Sequence, residues 1–570
     1  MDINKLIKKW VLYNKYKYGN VDLNSVVSKI VYENPDLKKN IKEIIPKVKE
    51  EINNLSNISR EEAYNILLKE YPELLEEKKK EERKGLPELK NAVEGKVKTR
   101  FAPNPSGYLH IGHARAIILN YEYAKMYKGK FILRIEDTDP KVKKPDPDVY
   151  DSIKEDVEWL INDKVDEFYI QSERLDIYYK YIKELIEKGF AYVDLSPKEI
   201  ISKYRAEGIP TEYRLKEPEW HLEQFEKMLN GYYDEEKAVI RIKTDLNHPN
   251  PSVRDWIAFR IVDPNKNPHP YLLRKYGKNY VERYWLWPTY NFSVSIDDHL
   301  MGITHVLRMK EHEVNSYKQK YIYEYFGWEF PTIINYGALL VKDLPLHKSE
   351  IRKLIKEGKI SGWDDPFLPT LRGLRRRGID REAIRKYILE IGPNPVDVVI
   401  DWNKIYTYNR EIYDKKAKRF FIIRNPVKVI INDLPSNKII KVKNHPEVDL
   451  GYREFIIKSN IFYIDINDIN NKYLRLFEGF NIEIIDKRED YIVAKYLSDS
   501  MEDARKLNAK IVQWVPEEYK INIKVWEKDG IINAIAEKYV LELTKDGEVI
   551  HGIRYGFFKR EKDYLIYMHK

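Results

Sequence analysis

Apolar and polar positions change their period several times along the chain, and each change marks a different kind of element. In "LNSVVSKIVYEN" (residues 23–34) and "REEAYNILLKEYPELLEEKKKEERKG" (60–85), apolar side chains recur at helical spacing with almost no glycine. Residues 1–84 are therefore predicted to be helical. The run Glu76–Lys84 mixes acids with bases and reads as a solvated helix end before a linker at Gly85-Leu86-Pro87. From Lys96 the order becomes strand ("KVKTRFAP"), Gly/Pro loop, amphipathic helix ("ARAIILNYEYAKMYKG") and buried strand ("KFILRIEDTDP"). That order predicts a parallel sheet with helices on its faces, over residues 85–196, and ligands at the carboxyl ends of its strands. Those ends carry Arg100–Ser106 and Glu136–Asp139.

Between 197 and 285, prolines and strand-like pieces ("AVIRIKTDL", "VRDWIAFRIV") break the alternation, as an insertion between two halves of the sheet domain would. The stretch beginning "YNFSVSIDDHLMGITHVLRMKEHEVNSYKQKYIYEYFGW" returns to strand followed by helix, making 286–345 the second half. Residues 346–409 read as a basic helical region. From 410 to 570, short strands without long helices predict one or two antiparallel β-barrels. Within them "VLELTKDGEVIHG" reads as a hairpin with Asp546-Gly547 at its tip. The expected fold class is thus multidomain: an α/β sheet domain with an α+β insertion, an N-terminal helical region and C-terminal antiparallel β-barrels.

Composition narrows the chemistry. Cysteine is absent, which removes disulfides, thiolate nucleophiles and sulfur-bound zinc. No HExxH pattern occurs, so no protein-bound zinc or other resident metal is expected. No apolar run approaches the roughly 18 residues that cross a bilayer. The N-terminus lacks the apolar core and cleavage site of a secretory signal, so the cytoplasm is the expected location. Lys and Arg number 100 against 91 Asp and Glu, a net charge of +9 that permits a polyanionic partner without demanding one.

The stretch "PNPSGYLHIGHARA", Pro103 to Ala116, places two histidines three apart where a Gly/Pro loop opens a helix. As metal ligands, His110 and His113 lack further partners nearby, and a lone histidine is most often a satisfied surface or core residue. A phosphate seat fits the surroundings better. Pro103, Pro105 and Gly107 hold the loop near the sheet, and Gly112 opens the helix without a side chain in the way. The first turn offers free N–H groups and the positive dipole end. Both imidazoles can then donate to phosphate oxygens, with most effect where negative charge builds on a phosphorus under attack.

"HIGH" (His110-Ile111-Gly112-His113) resembles the signature of class I aminoacyl-tRNA synthetases. "RFAPNPSGYLHIGHARA" with "FILRIEDTDP" is similar to their glutamyl/glutaminyl branch in particular. Further matches are "YNFSVSIDDHLMGITHVLRMKEH", "GWDDPFLPTLRGLRRRGI", "LRLFEGFNI" and "IVQWVP", so the resemblance runs over about residues 85–570. It implies a Rossmann-type catalytic domain that activates an amino acid with ATP–Mg²⁺ to an aminoacyl-adenylate, then transfers it to the 3′-terminal adenosine of tRNA. By this resemblance Pro103, Gly107, His110, Gly112 and His113 belong to the ATP site, with His110 and His113 catalytic. No covalent enzyme intermediate is implied. The family's KMSKS loop corresponds to the degenerate "PLHKS", Pro345–Ser349. Lys348 keeps the second lysine, as a catalytic cation over the pyrophosphate, and Ser349 joins the ATP site. The alternative is a solvated lysine at a helix start.

The matching amino-acid positions supply two cations, Arg100 and Arg308, and one anion, Glu136. That sum is glutamate's own charge set in reverse, and a planar guanidinium takes a carboxylate bidentately. Tyr290 can donate a hydroxyl, and Asn104 can assist at the ammonium or backbone side. In the family, glutamyl enzymes carry Arg at the position of Arg308 and glutaminyl enzymes a small uncharged residue. The reading is therefore glutamate over glutamine, with Arg100 favoured for the γ-carboxylate. The alternative for Arg308 is a local pair with Glu311.

On the tRNA side, the resemblance places the acceptor end on the insertion, the stem on 346–409 and the anticodon on the β-barrels. The barrels are similar to those of glutaminyl and archaeal/eukaryotic glutamyl enzymes. Arg372, Arg375, Arg376 and Arg377 in "LRGLRRRGI" form a basic stripe suited to phosphates, the alternative being a solvated basic face. Trp514 and Tyr519 could stack on unpaired anticodon bases or fill a barrel core. The expected partners are L-glutamate, ATP and tRNA(Glu), with tRNA(Gln) left open, no membrane, and the monomer as family default. Rival readings are a glutaminyl enzyme, an HxGH nucleotidyltransferase, a tRNA-modifying paralogue and a non-catalytic RNA-binding descendant.

Overall fold

A computed structural model describes residues 3–34, 37, 40–74, 85–342, 344 and 348–570. The chain divides into two units, Met1–Gly85 and Leu86–Lys570. The first holds four helices, α1 (Ile3–Tyr18), α2 (Leu23–Glu33), α3 (Ile41–Asn54) and α4 (Arg60–Glu70). Their apolar stripes meet in a core of Leu6, Val11, Val26, Ile30, Ile44 and Val48. Asp22 caps α2, and Ser59 with Glu62 forms a reciprocal cap on α4. Pro72 disfavours helical backbone at Tyr71, and α4 stops just before that residue. The charged run Glu76–Lys84 lies outside the described residues.

In the second unit, β1 (Lys98–Phe101), α5 (Ile111–Met126), β2 (Lys130–Ile135), α6 (Tyr150–Ile161) and β3 (Glu167–Ile170) follow in order. The three strands form a parallel sheet, with Arg100 opposite Ile132 and Leu133 opposite Phe168. Gly129 makes the tight return from α5, since a Cβ there would meet Val97 O at 1.9 Å. Helix α7 (Leu175–Glu187) then leads into an antiparallel four-stranded sheet: β4 (Ala191–Asp194), β5 (Val239–Ile242), β6 (Ile257–Ile261) and β7 (Leu286–Pro288). The inserted sheet thus begins and ends a few residues outside the expected 197–285.

The chain rejoins the parallel layer through β8 (His305–Met309), which pairs in parallel with β9 (Thr332–Tyr336). Thr304 N donates to Lys98 O at 3.1 Å, which sets β8 beside β1. The strand-then-helix order expected there is β8 followed by the helix Glu313–Phe326, and the sequence did not foresee the helix Tyr290–Leu300 in front of them, which is buried along nearly its whole length. A helix covered on all sides loses the one-sided period that would have identified it.

Helices Leu371–Arg377, Arg381–Ile391 and Trp402–Tyr413 lead to the β region. Its two seven-stranded sheets are mainly antiparallel, each with two parallel pairs. Both close on themselves. Arg419–Phe420 pairs with Val549–Gly552 and the adjoining Ile422–Ile423 with Gly530–Glu537, so one bent stretch is both edges of its sheet. Lys510–Val512 and Val515–Pro516 do the same for the other. Closure into barrels leaves no long unpaired edge. The hairpin expected in "VLELTKDGEVIHG" is corrected: Tyr539–Glu542 is helical, and Val549–Gly552 pairs with the next strand, Gly556–Glu561. Asp546-Gly547 makes a turn into that hairpin, with Gly547 at φ +80°. No helix among the described residues is long and apolar enough to cross a membrane.

Candidate active site

The loop after β1 is pinned at both ends. Glu136 N donates to Pro103 O (2.9 Å) and Asn104 Nδ2 to Glu136 O (2.9 Å), tying it to the tip of β2. Ile111 N donates to Pro369 O (2.8 Å), and Leu371 N to Leu109 O (2.9 Å), fixing the start of α5. The two histidines then cap the helix reciprocally. His110 Nδ1 accepts from Gly112 N and His113 Nδ1 from His110 N, both at 3.1 Å. With each Nδ1 lone pair occupied, the proton of each neutral ring sits on Nε2, leaving that N–H to donate. Burial drives the pKa of His110 down to about 3, with His113 adding to the effect, and burial takes His113 to about 4. Both rings are therefore neutral donors near pH 7. Gly112 is required because a Cβ would lie 2.7 Å from His110 Cε1. What it makes room for is the folded-back ring of His110.

A cavity of about 700 Å³ opens at the strand tips beside this helix start. Its lining gathers Arg100, Pro103, Asn104, Gly112, His113, Glu136, Tyr290 and Arg308 from segments about 200 residues apart. Gly107 and His110 lie on the adjoining loop and cap. Lys348 and Ser349 open the helix Lys348–Lys356. Pro345, Leu346 and His347 of the KMSKS-like stretch lie outside the described residues.

Arg308 points from β8 into the cavity region. Its Nη2 donates to Ser316 Oγ at 2.6 Å. Its Nε and Nη1 are buried with no hydrogen-bond partner among the described residues. It is not paired with Glu311, whose carboxylate lies 3.7 Å from Nε2 of His312. Burial holds the Arg308 pKa below its ordinary value, with the Tyr290 phenol acting against that. Two unpaired donors on a desolvated cation are costly unless an anion arrives.

Arg100 differs. Its Nε and Nη2 donate to Asp298 Oδ1 and Oδ2 at 3.1 and 3.2 Å. Asp298 also accepts from Arg134 Nη1 at 2.7 Å, and Arg134 Nη2 donates to Glu136 Oε1 at 3.1 Å. Arg134 and Asp298 were missed from the sequence. Their signal was a charged residue inside a buried apolar run, "FILRIED" and "SVSIDD", which has to find a partner. Burial raises the Asp298 pKa, and the two guanidiniums outweigh it and hold the carboxyl below its ordinary value. Burial also raises Glu136, against the pull of Arg134 and Arg100. Arg100, Arg134 and Arg308 outnumber Glu136 and Asp298, and the rest of the lining, Arg115, Lys143 and Arg260 against Asp139, adds to the positive excess. The excess of the simpler count survives, but one edge of Arg100 is already occupied. Arg100 keeps its Nη1 side for a ligand, and Arg308 keeps Nε and Nη1 unpaired.

Three residues of the basic stripe have partners within the protein. Arg372 pairs with Glu155 and with Asp156 at 3.2 Å. Arg376 forks onto Glu561, and Arg377 donates to the Tyr567 and Met568 carbonyls and to Tyr406. These three join the Leu371–Arg377 helix to its neighbours, so their charge is spent within the protein. Arg375 is exposed, with its guanidinium 5.9 Å from the Trp159 ring centre. Trp514 is wholly buried with Nε1 donating to Phe477 O, and the Tyr519 hydroxyl accepts from Ile456 N. Trp514 is therefore enclosed in the barrel and has no face for a base, while Tyr519 is partly exposed at its rim.

The first N–H groups of α5 are spent within the protein, on Pro369 O, His110 Nδ1 and His110 O, but two imidazole N–H donors beside a parallel sheet and a charged small-ligand cavity are the arrangement of a nucleotide-binding α/β enzyme. The family model of class I tRNA synthetases (E and Q), catalytic domain, matches residues 96–414, and that of the anti-codon binding domain of the same family matches 417–498. Similar proteins include a glutamate–tRNA ligase of Nanoarchaeum equitans, 46% identical over 99% of this chain and 100% of that one. Those of Pyrococcus furiosus (44%, all of both chains) and Sulfolobus acidocaldarius (42%, 98% and 96%) are similar over comparable lengths. The chain belongs to the glutamyl/glutaminyl (E and Q) family of class I aminoacyl-tRNA synthetases.

Proposed function

We propose that the protein is a glutamate–tRNA ligase: it activates L-glutamate with ATP to glutamyl-adenylate and transfers the glutamyl group to the 3′ end of tRNA(Glu). The observation that carries the choice of amino acid is the buried Arg308 guanidinium, with Nε and Nη1 unpaired beside a cavity whose lining carries an excess of positive charge. A carboxylate presents only acceptors to that guanidinium. The amide of glutamine would turn one N–H toward a guanidinium and leave the excess charge unmatched. Glu136 and the Asn104 carbonyl oxygen suit the ammonium, and Arg100 and Tyr290 add donors around the carboxylates.

In the activation step the glutamate α-carboxylate attacks the α-phosphorus of ATP, which enters as its Mg²⁺ complex, and pyrophosphate leaves. The Nε2–H groups of His110 and His113 donate to phosphate oxygens as negative charge accumulates. Being neutral, the rings give hydrogen bonds without a proton to lose. Lys348 and Ser349 serve the pyrophosphate side. In the second step a ribose hydroxyl of the terminal adenosine attacks the activated carbonyl and AMP leaves. Catalysis is by positioning and charge stabilisation, with no covalent enzyme intermediate. The inserted sheet receives the acceptor end and the barrels the anticodon, and Arg375 is the stripe residue free for a phosphate. The protein works in the cytoplasm as a monomer.

The test supplies ATP, labelled glutamate or glutamine, and either tRNA(Glu) or tRNA(Gln). Label on tRNA(Glu) from glutamate alone supports the reading. Transfer of glutamine instead overturns it, and no transfer from either amino acid points to an RNA-binding descendant. The tRNA(Gln) arm decides whether that tRNA is a second substrate.

A further inference from the structure

Two adjacent acids near the end of the Tyr290–Leu300 helix serve different neighbours. Asp297 accepts from Gln171, Arg174 and Tyr178, which hold the helix to the segment before the inserted sheet. Asp298 serves the cavity side. It is only 3% exposed and takes three charged hydrogen bonds, two from Arg100 and one from Arg134. Arg100 and Glu136 line the cavity, and Arg134 and Asp298 stand behind them. The geometry points to Asp298 as a positioning residue for amino-acid binding. It clamps one edge of the Arg100 fork so that the other edge faces the cavity, and its charge offsets one of the two guanidiniums it holds. This inference rests on the glutamate reading.

Asp298 touches no ligand, so its effect passes through Arg100. An amide at this position keeps the shape but presents an N–H to one of two guanidiniums, and it removes the negative charge they share. Arg100 then loses its fixed direction. Helix Tyr290–Leu300 and the ATP side of the cavity keep their backbone contacts.

The experiment measures ATP–pyrophosphate exchange in the presence of tRNA for the wild type, Asp298→Asn and Asp298→Glu, with melting temperature recorded alongside. Asp298→Asn is expected to raise the KM for glutamate at least tenfold while the KM for ATP stays within about twofold. Asp298→Glu, which keeps the charge but moves the carboxylate, should fall between the two. A residue that merely held the fold would move melting temperature, or both KM values together. An unchanged glutamate KM in a folded Asp298→Asn overturns the proposal. If that variant does not fold, an unchanged glutamate KM in Asp298→Glu overturns it, and a raised one with ATP KM intact supports it. Failure of the wild type to exchange with glutamate would instead overturn the functional reading itself.

Discussion

Replacing Arg308 with alanine separates the binding role of this residue from any structural one. Within the protein, its fork makes one hydrogen bond, to Ser316 Oγ, and its other two nitrogens have no partner among the described residues. Losing that bond costs about 1 kcal/mol, partly offset by removing a desolvated cation, so the melting temperature should shift by only a few degrees. With glutamate bound, the same change strips a buried carboxylate of its guanidinium partner. Breaking such a pair costs about 3–5 kcal/mol. At about 1.4 kcal/mol per tenfold, glutamate kcat/KM should fall roughly 100- to 5,000-fold. The assay is ATP–pyrophosphate exchange with tRNA present, read against a thermal melt. A folded Arg308→Ala enzyme within tenfold of the wild type would refute the reasoning.

Further outcomes are expected. Gly112→Ala should lower kcat/KM for ATP at least tenfold without lowering the melting temperature, because the new Cβ displaces His110 while alanine favours the helix; unchanged exchange kinetics would contradict this. The depressed histidine values mean that the unfolded chain takes up protons near pH 6.5 before the folded one does. The stability from keeping His110 and His113 neutral is then complete above about pH 6.5 and drains away as pH falls toward 4, which denaturant melts across that range would register. Exchange activity, in turn, should not decline between pH 6 and 8, as it would if an imidazolium were the active form. Arg375→Ala should weaken tRNA binding and reduce the salt slope by about one, whereas Arg376→Ala should lower thermal stability and leave the slope alone, measured by filter binding at several ionic strengths.

The site was legible where one short segment carries both its pattern and its chemistry. The Pro103–Ala116 loop could be read as an anion seat because prolines, glycines and the helix start lie together. What the histidines do to each other, capping the helix through Nδ1, is geometry that no spacing reveals. Arg134 and Asp298 escaped because each charge sits in an apolar run and the two that pair lie 164 residues apart. The arginine stripe looked unopposed because its acids are distant in sequence, Glu561 lying 185 residues beyond Arg376. Trp514 could not be assigned to interior or surface until the Lys510–Pro516 seam closed its barrel around it. The Tyr290–Leu300 helix was not foreseen because burial on all sides hides its period.

The most direct measurement is a crystal structure with glutamate and a non-reactive ATP mimic. It should show a carboxylate oxygen of the amino acid within about 3.2 Å of Nε or Nη1 of Arg308, and phosphate oxygens facing Nε2 of His110 and His113. A ligand bound with Arg308 turned away, or with its carboxylates held elsewhere, would contradict the account.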